Sequence, residues 1–312
     1  MAKERFIRFD WAAKRLLRQK SNFVILEGFL STLLNEQIKI VRMLESEGNK
    51  ENPDDKFNRV DMLAENHRGE LVIIEIQNTR ELNYFQRMLY GVSKAITEYI
   101  SEGEPYDHVK KVYSVNIVYF DLGQGEDYVY HGRTEFRGIH EHDLLQLSTL
   151  QQEQFMYKNI GDLYPEYFIL RVEEFDRNAV TPLDEWISFL KTAEIPENAK
   201  APGLSEAREL FRRDSLSKEE RQAYEAHIEA LRYQQSVIDT GWKEGKAEGK
   251  AEGRVEGRVE GRAEGRVEGR VEEQKNIIIN SYRAGLPIET IATITGLKPE
   301  AIIKILENEV KK

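Results

Sequence analysis

The stretch of sequence that decides the fold is Leu71-Val72-Ile73-Ile74-Glu75-Ile76-Gln77. Its apolar, mostly β-branched residues predict a buried strand, yet Glu75 stands where the pattern calls for another apolar side chain. Residues two apart share a face of a strand, so Glu75 and Gln77 point to the same side of the sheet. Burial of an ionised carboxylate costs several kcal/mol unless a partner compensates its charge. The strand therefore predicts a cationic partner for Glu75, and a metal ion suits that position.

A second strand is predicted just before this one, over residues 60–65, with Asn66-His67-Arg68-Gly69 as the turn of a β-hairpin. If the hairpin folds about Arg68, Asp61 lies opposite Glu75, with the two Cβ atoms roughly 4.5 to 5.5 Å apart. Two facing carboxylates repel each other, and one stays protonated unless a cation lies between them. Oxygen ligands without histidine or cysteine suit a hard cation such as Mg²⁺ or Mn²⁺, which also accepts phosphate oxygens.

Hydrophobic periodicity predicts the elements around the hairpin. Helices are predicted over residues 22–34 and 82–100, and strands over residues 38–44 and 111–120. The order is therefore helix, three strands, helix and strand, which indicates an α/β core with a mixed sheet. Beyond this core we predict strands over residues 128–136 and 167–172 and helices that begin at Thr181 and Ser217.

Composition narrows the classes of function. The chain has 312 residues, a formal net charge of -10 and no cysteine, which excludes disulfides, thiolate zinc sites and cysteine nucleophiles. No stretch is apolar for long enough to span a membrane or to act as a signal peptide, so we expect a soluble, cytoplasmic protein. The acidic balance argues against a chain coated in nucleic acid. Residues 1–20 are locally basic, with seven basic against two acidic residues, and form either a phosphate-contacting arm or a solvated helix face.

A tetrapeptide repeat occupies residues 241–273, where glycine recurs at every fourth position up to Gly269. Each glycine inside a helix costs about 1 kcal/mol relative to alanine, and the repeated glutamates lie four apart, where they repel. The repeat therefore predicts a flexible spacer, although small residues at every fourth position also allow two helices to pack closely. Residues 274–312 predict short helices with the outline of a helix-turn-helix, used for DNA reading or for packing and dimerisation.

The hairpin residues resemble a known family. Asp61, a gap of thirteen residues and then Glu75-Ile76-Gln77, set between two predicted helices, resemble the core of the PD-(D/E)xK nucleases. Three segments narrow the resemblance to the Rpn-type recombination-promoting nucleases, also called PD-(D/E)xK family transposases. They are Phe57-Asn58-Arg59-Val60-Asp61, Ile73-Ile74-Glu75-Ile76-Gln77-Asn78 and Phe85-Gln86-Arg87-Met88-Leu89-Tyr90. The resemblance implies a restriction-endonuclease-like fold followed by a helical C-terminal extension.

With this resemblance, the chain divides into four predicted parts. They are a PD-(D/E)xK nuclease-like domain (1–150), a mixed and then helical extension (151–240), the Glu/Gly/Arg repeat as a linker (241–273) and a small helical segment (274–312). The repeat and the helical segment are the predicted surfaces for a homo-oligomer.

The resemblance also implies the residues of a metal site. Asp61 and Glu75 would be the metal ligands, with the backbone carbonyl of Ile76 as a third. Glu27, in the helix before the first strand, matches the acid that some members of the family use as an outer ligand. Gln77 stands where the family usually has a lysine that orients or activates the attacking water. A glutamine can hold a water molecule by hydrogen bonds but supplies no cation.

A cation for the site would then come from the helix that follows the hairpin. Arg87, Tyr90 and Lys94 lie three to seven residues apart on that helix and could return a cation or a hydroxyl group, and we favour Arg87. Without a metal, Glu75 would instead form a salt bridge with Arg42 or Arg59.

The activity implied by the resemblance is hydrolysis of a phosphodiester bond in double-stranded DNA with Mg²⁺ or Mn²⁺ as cofactor. Two alternatives stay open. One is an inactive nuclease fold that serves as a DNA-binding or assembly module, which the glutamine at Gln77 and the acidic charge favour. The other is a structural protein that self-associates through its repeat.

Overall fold

The structure of the chain, a computed structural model, describes residues 6–44, 60–100 and 103–310. The predicted loop over residues 47–55, Arg59 and the rest of the Phe57–Arg59 segment lie outside the described residues. The chain forms two compact units, Met1–Gln234 and Gln235–Lys312. Within the described ranges no helix is both long and apolar enough to cross a membrane. The division into four parts stays a prediction.

The first unit begins with a short helix, α1 (Phe9–Arg15), which precedes the predicted elements. The next elements follow the predicted order: α2 (Phe23–Leu34), β1 (Ile40–Leu44), β2 (Met62–Asn66), β3 (Leu71–Gln77), α3 (Tyr84–Glu98) and β4 (Val112–Val118). The chain continues with β5 (Val129–Gly132), α4 (Thr149–Phe155), β6 (Glu166–Arg171), α5 (Pro182–Thr192), α6 (Leu204–Leu210) and α7 (Lys218–Arg283). The second unit also contains α8 (Ile288–Thr295) and α9 (Pro299–Val310).

The strands form a six-stranded mixed sheet in the order β1-β2-β3-β4-β6-β5. Strands β1, β2 and β3 are antiparallel neighbours, β3, β4 and β6 are parallel neighbours, and β5 pairs antiparallel with β6. The predicted hairpin register is confirmed, because Met62 pairs with Ile74 and so places Asp61 against Glu75. The α/β core with a mixed sheet is therefore confirmed as well.

Helices cover both faces of the sheet. The side chains of α1, α2, α5 and α6 form one buried cluster with Ile74 and Ile76 of β3. On the opposite face, Val92 of α3 packs against Ile73. A strand covered on both faces reads as a continuous apolar run, which explains the sequence of β3. By the alternation of the strand, Glu75 shares the α3 face with Ile73.

The predictions beyond the core are confirmed in part. The predicted strand over residues 128–136 is shorter, because Gly132 pairs with Tyr167 close to the first residue of β6, and β5 ends there. The helix start at Thr181 is confirmed by a capping box in which its side chain accepts a hydrogen bond from the Asp184 backbone N–H. Ser217 caps α7 in the same manner.

The glycine repeat is helical, so the prediction of a flexible spacer is wrong. Helix α7 runs without a break from Lys218 to Arg283, and the residues of the repeat are exposed throughout. Each end of the helix has its own anchor, since Tyr224 is buried in the first unit and Ile278 in the second. Helix growth from a formed end adds one hydrogen bond per residue without the cost of nucleation. The alanine, glutamate and arginine residues between the glycines also favour the helix.

Replacing Gly253, Gly257 and Gly261 with alanine is expected to stabilise α7 by about 1 kcal/mol per site. A Cβ atom built at each of these positions meets no atom of the described residues within 4 Å, so alanine introduces no clash. Thermal unfolding of the full chain, followed by far-ultraviolet circular dichroism, would show a higher melting temperature. A lower melting temperature, with loss of an oligomer in light scattering, would instead support close helix packing and the predicted self-association.

The second unit has its own small core. Ile278 of α7, Ile291 of α8 and Ile302 of α9 are buried together. Helix α8 is followed by Gly296, whose left-handed backbone conformation ends the helix and turns the chain toward α9. The predicted pair of short helices joined by a turn is therefore present.

Candidate active site

Asp61 and Glu75 meet at the open end of the β2–β3 hairpin. Asp61 directly precedes β2, and its Oδ2 accepts a hydrogen bond of 2.8 Å from the backbone N–H of Ile76. Glu75 is buried, with 7% of its surface exposed. The structure thus brings together both predicted side-chain ligands and the backbone N–H of Ile76, the residue whose carbonyl is the third candidate.

The electrostatic surroundings of Glu75 are unfavourable for a lone carboxylate. Burial raises the pKa of the Glu75 carboxyl to about 8, and the negative charge of Asp61 adds to the rise, while Arg87 and Lys14 oppose it. Two cations are therefore not enough to keep this carboxylate ionised at neutral pH. A further positive charge between Asp61 and Glu75 would be well accommodated.

Arg87 reaches the site from α3, as predicted. Its Nη2 lies 3.7 Å from Glu75 Oε2, and its Nη1 lies 3.3 Å from Glu81 Oε2. The buried Nε of Arg87 has no hydrogen-bond partner within the part of the chain that the structure describes. Because a third of the Arg87 side chain is exposed beside the carboxylate pair, the other nitrogen atoms of its guanidinium are placed to bind an oxyanion.

Two further cations, which the sequence did not identify, reach Asp61 from the N-terminal segment. Lys14 of α1 places its Nζ 2.9 Å from Asp61 Oδ1, and half of the Lys14 side chain, 49%, remains exposed. Arg18 Nη2 donates a hydrogen bond of 2.6 Å to the backbone carbonyl of Asp61. The two cations are four residues apart in the locally basic segment, but no local pattern indicates which distant acid they bind. The basic segment is therefore more than a solvated helix face.

Gln77 of β3 and Lys94 of α3 have recorded contacts with residues other than Asp61 and Glu75. The Gln77 side-chain amide donates a hydrogen bond of 3.1 Å to the carbonyl of Thr79. Lys94 Nζ lies 3.7 Å from Glu98 Oε1 on its own helix. Of Arg87 and Lys94, it is therefore Arg87 whose guanidinium lies beside Glu75.

Glu27 is not brought to the site. Its Oε1 accepts a hydrogen bond of 2.8 Å from the Ile40 backbone N–H, and its Oε2 lies 2.9 Å from Lys39 Nζ. Ile40 pairs with Asn66, which is at the end of β2 opposite to Asp61. Five residues of strand separate the two ends by roughly 17 Å. Glu27 therefore fastens α2 to β1 and does not join Asp61 and Glu75.

The alternative salt bridge for Glu75 is not formed with Arg42. Arg42 Nη2 lies 2.6 Å from Glu65 Oε2, on the neighbouring strand. The other proposed partner, Arg59, is outside the described residues.

A buried polar network adjoins the site on the side of α1. Asp10, only 1% exposed, accepts hydrogen bonds of 3.1 Å from Arg8 Nε and from Asn78 Nδ2. His227 of α7 places its Nε2 3.1 Å from the same carboxylate. Asn78 directly follows Gln77, so the network begins where β3 ends. Burial opposes ionisation of Asp10, but the hydrogen bonds and charges of His227 and Arg8 outweigh it and lower the pKa of Asp10 to about 2.

This lowered pKa predicts a pH-dependent contribution to stability. Because the pKa of Asp10 falls from 3.8 to about 2 on folding, its contribution of about 2 kcal/mol is present above the unfolded pKa and is lost as pH falls through the folded one. Urea unfolding should show that the wild type has a higher free energy of unfolding than Asp10→Asn, and that this difference becomes smaller between about pH 5 and pH 2. A difference that stays constant over this range would contradict the assigned hydrogen bonds.

The side chains at the site can supply some, but not all, of the oxygen ligands that a hard divalent cation requires. Within the described ranges no group of three or more acidic or histidine side chains is placed to hold a metal ion. Asp61 and Glu75 would therefore supply the side-chain oxygens, and water or phosphate oxygens would fill the remaining positions, as is usual for Mg²⁺.

A mixed sheet with helices on both faces, and paired carboxylates on adjacent strands, defines a nuclease-like protein of the PD-(D/E)XK class. The chain belongs to the PD-(D/E)XK nuclease family transposases, whose sequence model matches residues 7–241. Neither the curated proteins nor the solved structures contain a match to the chain. The matched region includes α1 and the first part of α7, so Lys14, Asp10 and His227 lie within it.

Proposed function

We propose that the protein is a divalent-metal-dependent endonuclease that hydrolyses phosphodiester bonds of double-stranded DNA, with Mg²⁺ or Mn²⁺ as its cofactor. The observation that carries the proposal is the pairing of Asp61 with the buried Glu75 across the hairpin end. Nuclease-type function follows from the family, and the metal dependence and the residue roles are the proposal.

Asp61 and Glu75 would hold the cation, with the Ile76 carbonyl as a third candidate ligand. If bound there, a divalent ion would supply Lewis-acid chemistry, by polarising the phosphate and lowering the pKa of a water molecule. The hydrogen bond from the Ile76 N–H fixes the Asp61 carboxylate, so one ligand is oriented before any ion arrives. The burial of Glu75 excludes bulk water and strengthens its interaction with a cation.

Arg87 and Lys14 would hold the scissile phosphate. They approach the carboxylate pair from different helices, Arg87 beside Glu75 and Lys14 beside Asp61. Hydrolysis of a phosphodiester places additional negative charge on the phosphate oxygens, and prearranged cations stabilise that charge. Lys14 is half exposed and has N–H donors beyond the one directed at Asp61, so its ammonium group is accessible to a DNA backbone. Gln77 lies on the same face of β3 as Glu75, and its side-chain amide would orient a water molecule by hydrogen bonds.

Incubation of supercoiled plasmid with the purified full chain tests the proposal. With Mg²⁺ or Mn²⁺ we expect conversion to nicked or linear DNA, and with a chelator we expect none. Cleavage that is indifferent to the chelator, or no cleavage with either ion, would overturn it. Retardation of DNA without cleavage would favour the binding module.

A further inference from the structure

Helix α1 joins the candidate active site to the buried network around Asp10. Asp10 and Lys14 are four residues apart on this helix and therefore share one of its faces. Asp10 binds Asn78, which follows β3, and Lys14 binds Asp61, which precedes β2. One face of one short helix thus contacts the two chain segments that carry Glu75 and Asp61.

The hydrogen bonds of Asp10 compensate its buried charge and also connect α1 to the residues at the end of β3. Arg8 Nη2 donates a hydrogen bond of 3.0 Å to Asn78 Oδ1, so Asn78 is held through both ends of its amide. Arg8 also lies over the ring of Tyr119, 4.7 Å from its centroid, and the Tyr119 backbone N–H donates to the carbonyl of Gln77. These contacts lock the first turn of α1 to the end of β3.

Lys14 itself is weakly restrained. Its side chain is half exposed, and a lysine has several rotatable bonds, so the ion pair with Asp61 does not fix the ammonium position strongly. The position of the α1 backbone must therefore determine where the Lys14 side chain begins. Helix α1 is only 7 residues long, so this position depends on contacts that hold the helix in place. Asp10 is its buried, multiply hydrogen-bonded anchor.

We propose that Asp10 is a positioning residue, which fixes α1 against the end of β3 so that Lys14 is held beside Asp61. His227 completes the anchor from α7. The inference rests on the proposed nuclease function, because it assigns Lys14 a part in that reaction. Asp10 acts through Lys14 and does not itself touch the substrate.

A double-mutant cycle in the full chain tests this role through plasmid nicking. Asp10→Asn is expected to lower the nicking rate on the order of 10- to 100-fold, the loss typical of a misplaced active-site group. In a Lys14→Ala background the same substitution should change the rate by less than about twofold, because the residue that Asp10 positions is already absent. Asn78→Ala, which removes the link without altering a charge, should behave in the same manner.

Asp184→Asn is the matched control. Asp184 is also a buried aspartate, 5% exposed, but it belongs to the capping box of α5 and accepts hydrogen bonds from the Thr181 and Val180 backbone N–H groups. Its substitution should lower stability and leave the nicking rate unchanged at temperatures where the protein is folded. Equal losses of activity for Asp10→Asn with and without Lys14 would overturn the positioning role.

Hydrogen exchange of the α1 amides separates this inference from the proposed function. Asp10→Asn should accelerate exchange in residues 9–15, and Asp184→Asn should not. Unchanged exchange in α1 would overturn the inference whatever the activity. Absence of nicking by the wild type, with accelerated exchange in Asp10→Asn, would overturn the nuclease function and the assigned role of Lys14 while leaving the anchor in place.

Discussion

Glu75→Gln and Asp61→Asn are each expected to lower metal-dependent cleavage of plasmid DNA by about 10³-fold or more. Each substitution keeps the shape of the side chain but removes one of the two anionic ligands proposed for the cation. Glu75→Gln also removes a carboxyl whose pKa is raised by burial and by Asp61, so the variant should fold at least as stably as the wild type. Nicking rates measured with Mg²⁺, together with unfolding curves, would separate loss of chemistry from loss of fold.

Two matched variants sharpen this test. Glu65→Gln removes a carboxylate of the same hairpin that binds Arg42 and Lys110, and it should retain wild-type cleavage. Glu27→Gln should retain cleavage too, because Glu27 binds Ile40 and Lys39 at the other end of the sheet. A wild-type cleavage rate in Glu75→Gln would contradict the role of Glu75 as a metal ligand. If Glu27→Gln lost as much cleavage activity as Asp61→Asn, Glu27 would again be a candidate for the outer metal ligand.

Lys14→Ala is expected to reduce cleavage on the order of 100-fold, and Gln77→Lys in the same chain is expected to restore much of it. Lys14 is the lysine at the carboxylate pair, 2.9 Å from Asp61, whereas the strand position on the Glu75 face carries Gln77. A lysine at position 77 would bring an ammonium group to the site from β3 instead of from α1. Single-turnover nicking of the wild type, Lys14→Ala, Gln77→Lys and the double variant would measure both effects.

Lys20→Ala provides the control for charge. Lys20 lies in the same basic segment and is exposed, so its removal changes the net charge equally but leaves Asp61 untouched. If Lys14→Ala and Lys20→Ala lost cleavage activity to a similar extent, Lys14 would contribute only non-specific electrostatic attraction for DNA. Failure of the double variant, when Gln77→Lys alone remains active, would show that a cation at the strand does not replace Lys14.

The carboxylate pair could be predicted because it depends on local sequence. Glu75 interrupts the continuous apolar run of β3, and the turn at residues 66–69 fixes the register that places Asp61 opposite to it. Arg87 is one of three candidates, with Tyr90 and Lys94, on the helix predicted after the hairpin, and the structure brings it to Glu75. In each case the residues that meet are close in the chain, so pattern and geometry together are sufficient.

The cations and the anchor of α1 could not be predicted in the same manner. Lys14 reaches Asp61, and Asp10 reaches His227, across long stretches of chain, the latter over 217 residues. Nothing in the local sequence distinguishes these charged residues from an exposed helix surface. Only the packing of α1 between β3 and α7 gives them partners.

The glycine repeat shows a different reason for error. Propensity and charge spacing describe an isolated segment, and by that measure residues 241–273 should not be helical. The same residues lie between two formed helical ends in α7, where propagation without nucleation decides the outcome.

Glu27 was assigned as an outer ligand from the resemblance to the family. In the structure its carboxylate accepts a hydrogen bond from the Ile40 backbone N–H and so contributes to the packing of α2.

Anomalous diffraction from crystals of the full chain soaked in Mn²⁺ would show whether Asp61 and Glu75 share a divalent cation. We expect a peak within about 2.5 Å of oxygens of both carboxylates, and its loss in Glu75→Gln. Crystals that are saturated with Mn²⁺ yet show no peak between Asp61 and Glu75, with Lys14 still bound to Asp61, would contradict it.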